Sequence, residues 1–529
     1  MKIKRLLLPA LAVWAASGLT RRLFATRASA KPASTGASYE AIDAYVAEQM
    51  RRLNIPGASL AIVEGDRIVH RRNFGRARPG GDAPTTQTPF FIGSVGKSIT
   101  ALAVMQLVEA GKVELDAPVQ RYLPWFRVAD PRASSQTPAL APERSAGASV
   151  TVRHLLNQTS GLPMLRGEVA LTEFDDRPDA AELQVRALAT LKIGRPVGSK
   201  WEYSNLNYNV LGLIVEAAGG EPYAEYIQKH ILNPLEMTHT YTDRAAAKRD
   251  GLAMGYRLWF GRPVPAGELP VPRGSLAAGQ HISCAEDMAH YLIAHLNGGR
   301  YGDARVLSAA GIEELHRGVA EYRLGSIASG RYGMGWFEQD LDGIKTYAHG
   351  GNVPDFSAFI ALVPEQKKGV TVLFNADPYG FPAITEEVGM GLTALLAGQE
   401  PGPMRLDFVR WIMRLLPLIP LLQVAGVVAT LRRSNRWRRD PVLCPSGGRL
   451  WGQHILLPLV PNLSLAAILV YLRSGGLLRF LHLFMPDLAW IVRISGGFAA
   501  IWAFLRTGLI LGAVRESPSP LAEWPSAER

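Results

Sequence analysis

Cysteine is nearly absent from this chain. There are two in 529 residues, Cys284 and Cys444. That excludes a disulfide-stapled scaffold, and no metal-ligand spacing is present either. Lysine is missing altogether after residue 400, although residues 401–529 hold fifteen arginines against six acids, net +9. Residues 1–40 hold seven Lys/Arg and one acid, net +6, which leaves −4 of the total +11 for residues 41–400. The positive charge therefore sits at the two ends. It is poor evidence for nucleic-acid binding and fits the flanks of membrane segments. The chain also lacks internal repeats. At 48% hydrophobic and 19% charged residues it is neither wholly disordered nor collagen-like, and it is too long for one compact domain.

The N-terminus opens Met1-Lys-Ile-Lys-Arg5 and continues uncharged from Leu6 to Leu19. A basic start before an apolar run is the pattern of a secretory signal. Ala28-Ser29-Ala30 offers a small-x-small cleavage site, while Arg21, Arg22 and Arg27 between run and site suit an uncleaved anchor. Residues 1–39 are thus expected to be a signal peptide or signal anchor, residues 40–400 the functional domain, and residues 401–529 a membrane tail.

In that tail, Leu415 to Leu431 is 17 residues without a charge, about 26 Å as a helix and close to a hydrocarbon core's thickness. Ile455 to Leu472 is a second uncharged run, and a third span is expected between Leu488 and Val514, with Arg493 or Arg506 inside it or at its edge. Leu477 to Trp490 reads as an interfacial helix or a fourth span. The loop after the first span carries Arg432, Arg433, Arg436, Arg438, Arg439 and Arg449 against Asp440. Positive loops stay in the cytoplasm, so residues 41–400 are expected outside it. Cys284 and Cys444 would then lie on opposite sides of the membrane.

Within residues 41–400, Tyr39 to Leu53 has helical periodicity, and Ala58–Val63 with Arg67–Asn73 reads as a hairpin. Helices are expected over Ser94–Ala110, Asn205–Ala218, Pro222–Leu232 and Ala285–Leu296. Strands are expected over Gly333–Glu338, Ile344–Ala348, Phe356–Val363 and Gly369–Phe374, with a closing helix from Glu386 to Leu396. Pro131 to Ser149 reads as a loop or insertion. Strands at both ends with helices between imply an α+β domain whose sheet unites its termini.

Three short stretches carry chemistry. In Phe91-Ile-Gly-Ser94-Val-Gly-Lys97-Ser-Ile-Thr100, Ser94 and Lys97 are three apart at a helix start, which places the amine within reach of the hydroxyl. A serine hydroxyl needs a base to take its proton, and lysine serves only when burial or positive charge lowers its pKa. The N–H groups of that helix start can hold an oxyanion. In Gly198-Ser-Lys-Trp-Glu-Tyr203-Ser204-Asn205, Tyr203 is suited to shuttle a proton and Asn205 to donate to a substrate carbonyl. In Tyr347-Ala-His349-Gly350-Gly351-Asn352, the glycines allow a substrate to lie along the strand edge. The Asn352 N–H can be a second oxyanion donor, and His349, when protonated, can meet a carboxylate. Singly, each stretch has a bland reading: a helix cap with a surface lysine, a core tyrosine, a turn.

In this order the three stretches resemble the serine β-lactamase and penicillin-binding-protein family, most closely its class C-type branch. His154-Leu-Leu-Asn-Gln-Thr-Ser160-Gly161-Leu162, Tyr332-Gly-Met-Gly-Trp336 and Asn233-Pro-Leu-Glu-Met237 are similar to that family as well. The resemblance covers about residues 40–397 and implies a five-stranded antiparallel sheet flanked by helices, beside a mostly helical lobe with the active site between. It implies that Ser94 is the acyl-forming nucleophile, Lys97 its proton acceptor and Tyr203 the partner base. It also implies substrate contacts from Asn205, His349, Gly350 and Gly351, an oxyanion hole of the Ser94 and Asn352 N–H groups, and neither metal nor cofactor. The family's third stretch usually begins with lysine, where this chain has His349. That favours an ester, amide or D-amino-acyl peptide over efficient β-lactam hydrolysis. The reading is a membrane-tethered extracytoplasmic serine hydrolase. A β-lactamase is its same-class rival, and a non-catalytic ligand-binding sensor the rival of another class.

Overall fold

The computed structural model describes residues 38–129, 150–324, 328–445 and 447–516. The expected signal segment, as far as residue 37, and the expected 131–149 insertion lie outside the described residues. Helix α1 (Tyr39–Leu53) leads into the hairpin β1 (Gly57–Glu64) and β2 (Arg67–Gly75). The middle is helical, with α2 (Gly96–Glu109), α3 (Met164–Ala170), α4 (Asn205–Gly219) and α5 (Ala285–Leu296). Six strands follow: β3 (Ala320–Leu324), β4 (Ala328–Tyr332), β5 (Phe337–Leu341), β6 (Ile344–Val353), β7 (Phe356–Val363) and β8 (Lys368–Phe374). Helix α6 (Pro382–Leu396) closes the domain.

The strands make one antiparallel sheet in the order β2-β1-β8-β7-β6-β5-β4-β3. The first and last parts of the domain meet where β1 pairs with β8. The sheet has eight strands where five are expected: β1, β2 and β5 to β8 make six, and β3 with β4 adds a polar hairpin beyond β5. Strand β7 is buried on both faces, which is why its sequence is a continuous apolar run. Ala358, Ile360 and Leu362 point into the core shared with the helical lobe, while Phe359, Ala361 and Val363 point into the core under α1 and α6.

The β6–β7 turn is Pro354-Asp355, with Asp355 at φ 72°, a conformation short polar residues tolerate. Asp355 is 6% exposed and receives both ends of the Arg257 guanidinium, at 2.8 and 2.7 Å. Removing one member of a buried pair strands the other charge. Asp355→Ala is therefore expected to cost about 3 kcal/mol, read as a lowered denaturant midpoint of the full-length protein.

Beyond the domain run α7 (Phe408–Leu415), α8 (Leu418–Arg439), α9 (Leu457–Ser474), α10 (Leu477–Phe484) and α11 (Pro486–Arg515). Among the described residues, three stretches are long and apolar enough to cross a membrane: Phe408–Arg439, Gly447–Ser474 and Pro486–Arg515. Helix α10, at eight residues, is too short to span. Arg506 is turned inward and donates to the His454 carbonyl at 2.5 Å, while Arg493 lies 5.4 Å from the Trp490 ring centroid. The tail packs on the domain: Val409, Met413, Leu483 and Phe484 join the core beneath α6, and the Asp487 carboxylate accepts from the Phe260 N–H at 2.9 Å.

Candidate active site

The site begins with a turn. Gly93 has φ 54°, a region that disfavours a side chain, and the chain bends there into a short 3-10 turn, Gly93–Val95, before α2. Ser94 thus stands on the turn, two residues ahead of the α-helix expected to hold it. The turn is pressed between two backbones. A Cβ on Gly351 would lie 2.0 Å from the Ile92 carbonyl oxygen and 3.0 Å from the Ser94 nitrogen, and one on Gly93 would lie 2.5 Å from the Asn352 nitrogen. On the other side, a Cβ on Gly279 would lie 3.2 Å from the Ser94 nitrogen. Strand β5 pairs with β6 only as far as Ala348, so residues 349–353 leave that edge without a strand neighbour.

Lys97 is fully buried, with its amine 2.9 Å from Ser94 Oγ. Its other partners are Asn205 Oδ1 at 2.7 Å and the Ala278 carbonyl at 2.5 Å. Both are acceptors only. As placed, the amine donates to all three oxygens; once neutral, it can keep its N–H bonds to the two carbonyl oxygens and turn its lone pair to the Ser94 hydroxyl. Burial lowers the Lys97 pKa to about 7, with the Glu168 carboxylate opposing. The Tyr203 ring centroid is 4.9 Å from the Lys97 amine, and its phenol is near enough to feel the Ser94 hydroxyl. Desolvation raises this phenol well above its ordinary value, so it remains protonated at neutral pH and is equipped to relay a proton rather than to stand as an anion.

The segment His154–Leu162 explains itself as scaffolding for α4. Gln158 Oε1 accepts from the Ser204 N–H at 2.9 Å, Ser160 donates to Asn207 at 2.5 Å, and the Leu156 carbonyl accepts from Tyr208 at 3.0 Å. These bonds fix the start of α4, and with it Tyr203 and Asn205. The Asn205 amide nitrogen, left over once Oδ1 binds Lys97, lies 3.5 Å from the Glu168 carboxylate.

His349 takes a different place from the one its spacing suggested. It is 1% exposed, packed among Tyr203, Tyr332 and Phe337, with Nε2 3.3 Å from the Tyr332 hydroxyl. Burial, reinforced by Lys97, lowers its pKa to about 3. It is neutral at physiological pH and offers no cation to a substrate carboxylate. The two glycines also have separate structural reasons. Gly351 admits the turn that bears Ser94, whereas a Cβ on Gly350 would lie 2.4 Å from the Glu386 carboxylate, which accepts the Gly350 N–H at 3.0 Å. The Asn352 side chain is turned away from Ser94, bonding Asp377 at 2.6 Å and Thr385 at 2.9 Å. Only its backbone faces the turn.

Ser94, Lys97, Tyr203 and Asn205 are thus brought together, with Gly351 and the Asn352 backbone against them. The three sequence stretches give no sign of Glu168, Glu386 or the Ala278 carbonyl at the site. A lone carboxylate in a loop-like stretch and a backbone oxygen leave no motif, although Glu386 is the first residue of the expected closing helix. Among the described residues no cluster of His, Cys, Asp and Glu suited to a metal ion occurs.

A family model described as Beta-lactamase matches residues 42–394. Protein flp of Staphylococcus aureus strain MW2 is 27% identical over 362 residues, covering 67% of this chain and 66% of that protein. The chain therefore spans just under two thirds of that relative's length. Penicillin-binding protein 4 of Amycolatopsis lactamdurans is 31% identical over 335 residues, covering 61% of this chain and 81% of that protein. Among solved structures, the octameric penicillin-binding protein homologue from Pyrococcus abyssi matches with a TM-score of 0.59 at 29% identity, covering 72% of this chain and 81% of its own.

Proposed function

From the premise that the chain belongs to the Beta-lactamase family, we propose that it is a membrane-tethered serine hydrolase. It acts outside the cytoplasm, through a serine acyl-enzyme, on ester, amide or D-amino-acyl peptide substrates. The observation that carries this is the Lys97 amine, buried, 2.9 Å from Ser94 Oγ and otherwise bonded only to acceptors. In acylation, Lys97 takes the Ser94 proton as Oγ bonds to the acyl carbon. The bond from that carbon to the leaving oxygen or nitrogen breaks, and the leaving atom receives a proton through the Tyr203 hydroxyl. The Ser94 and Asn352 N–H groups stabilise the oxyanion. In deacylation, water attacks the acyl carbon, gives its proton to the Tyr203–Lys97 pair, and Ser94 leaves and is reprotonated.

Tethering is supported by the three long apolar stretches and by their exposed side chains, among them Leu422, Leu457 and Phe504. An apolar surface of that extent is costly in water. The outward orientation of the domain is supported by the arginines at the far end of α8, where Arg438 pairs with Glu516 beyond α11. A β-lactamase activity is the lesser reading, because neutral, enclosed His349 stands where a cation would meet the β-lactam carboxylate.

Labelling with a fluorophosphonate, followed by mass spectrometry, tests the assignment. Adduct on Ser94, lost in Ser94→Ala, is expected. Adduct elsewhere, or none on folded protein, overturns it.

The pH dependence follows from Lys97. Because the neutral amine is the active form, kcat/KM is expected to rise through about pH 7. Where it is ionised, Glu168 holds the Lys97 pKa up, although burial raises the Glu168 carboxyl itself to about 7. Glu168→Gln is therefore expected to move the acidic limb to lower pH, measured as a kcat/KM profile on a neutral ester.

A further inference from the structure

A cavity of about 290 Å3 lies beside the segments that enclose the Ser94 turn, although Ser94 itself is not among its lining residues. Phe91, Gln280 and Val353 line it, each one to three residues from the Gly93–Ser94, Gly279 and Asn352 backbones that enclose the turn. Its far wall is apolar: Leu171, Phe174, Val271 and Phe484. Phe174 is 40% exposed. Phe484 is the last residue of α10, the short helix that joins the ends of the second and third apolar stretches. Helix α3, immediately before Leu171, packs on the start of α10, where a Cβ on Gly476 would lie 3.1 Å from Val169. The cavity is thus bounded by the catalytic domain on one side and by the membrane-facing tail on the other.

Its charge is one-sided. Glu268 is engaged by Lys248, and Asp355 by Arg257. That leaves Arg78 and Arg244, whose hydrogen bonds run to backbone carbonyls: Arg78 to Leu252 at 3.1 Å, Arg244 to Leu269. Arg244 also stands 5.7 Å from the Phe91 ring centroid, three residues before Ser94 in the chain. Two guanidiniums facing an apolar wall match a ligand with a negative group and an alkyl portion.

Resting on the hydrolase reading above, we infer that this cavity is the substrate subsite for an anionic amphiphile presented from the membrane surface, with the negative group at Arg78 and Arg244 and the alkyl portion against Leu171, Phe174 and Phe484. The acyl transfer is the one already written, with Ser94 taking the acyl group and water releasing it.

The test uses full-length protein in phosphatidylcholine vesicles and three p-nitrophenyl carboxylate esters. One is tethered to a hexadecyl phosphodiester and inserted in the vesicles. The second is its soluble methyl phosphodiester counterpart, and the third is neutral p-nitrophenyl acetate. The vesicle-borne anionic ester is expected to exceed the soluble one by about tenfold or more in kcat/KM, and Arg78→Gln and Arg244→Gln are each expected to cut its preference over the acetate by about tenfold. If neither variant changes that preference, the subsite is overturned while the hydrolase stands. If the soluble anionic ester does as well, membrane presentation is overturned. If no ester turns over and fluorophosphonate leaves Ser94 unlabelled, the hydrolase reading falls and takes this one with it.

Discussion

Lys97→Met should lower kcat/KM by about 10^3-fold or more and abolish the acidic limb near pH 7. Methionine fills nearly the same volume, so the loss reports the missing proton acceptor rather than a cavity. The same substitution has a separate signature in stability. Burial takes the Lys97 pKa from 10.5 down to about 7, so between those values the unfolded chain binds a proton that the folded protein does not. Stability from this group therefore rises with pH across that window, by about 5 kcal/mol in all. Below about pH 7 both states are protonated, and the folded protein carries the full cost of a buried charge. Lys97→Met removes that dependence. Against it, Asn205 Oδ1 and the Ala278 carbonyl lose their donor, at about 1–3 kcal/mol each. The two effects oppose at neutral pH, while nothing offsets the catalytic loss. The checking measurement is the difference in denaturant midpoint between variant and parent at pH 7 and pH 10, set beside kcat/KM at pH 8. A variant that keeps more than a tenth of parental kcat/KM would remove Lys97 from the role of base.

Much of this constellation was legible because the elements that carry it have strong periodic signals. Helices over Tyr39–Leu53 and Ala285–Leu296 lie where their apolar spacing predicts, to the residue, and so does strand Phe356–Val363. The departures have physical reasons. Ala320–Leu324 and Ala328–Tyr332 pass for loop because they hold small and charged residues. Their pairing is secured by Tyr322 and Tyr332 packing on Trp201 and Phe337, contacts that are distant in sequence. Strand β6 runs on past Ala348 because its glycine pair, read locally as a turn, is held in extended form by its ladder with β7. His349 shows the same limit. Its spacing marks the position, but its charge state depends on burial among three aromatic rings that arrive from β4, β5 and the segment before α4. Glu168 acts on Lys97 through space and is linked to it by the Asn205 amide, a relation no linear pattern contains.

Gly351→Ala is the second large effect, and it tests how the oxyanion site is built. Gly351 lies in extended backbone, so alanine costs nothing conformationally at that position. The cost is space. The new Cβ would sit 2.0 Å from the Ile92 carbonyl oxygen and 3.0 Å from the Ser94 nitrogen, and both are backbone atoms that cannot swing aside. Either β6 withdraws or the turn bearing Ser94 does, and a shift of about 1 Å at a reacting atom costs about 10^2-fold in rate. The expected result is a kcat/KM lowered by about 10^2-fold or more, with stability reduced by about 1–3 kcal/mol. Gly350→Ala is the informative neighbour, because its Cβ would meet the Glu386 carboxylate, a side chain able to rotate away. Gly402→Ala controls for the substitution itself, since nothing lies within 4 Å of its Cβ. The ordering expected is Gly351→Ala far below Gly350→Ala, with Gly402→Ala at the parental rate. If Gly351→Ala kept its kcat/KM within twofold of the parent, the contact between strand and turn would not govern where the acyl oxygen is held, and the Asn352 N–H would lose its assigned part in the oxyanion hole.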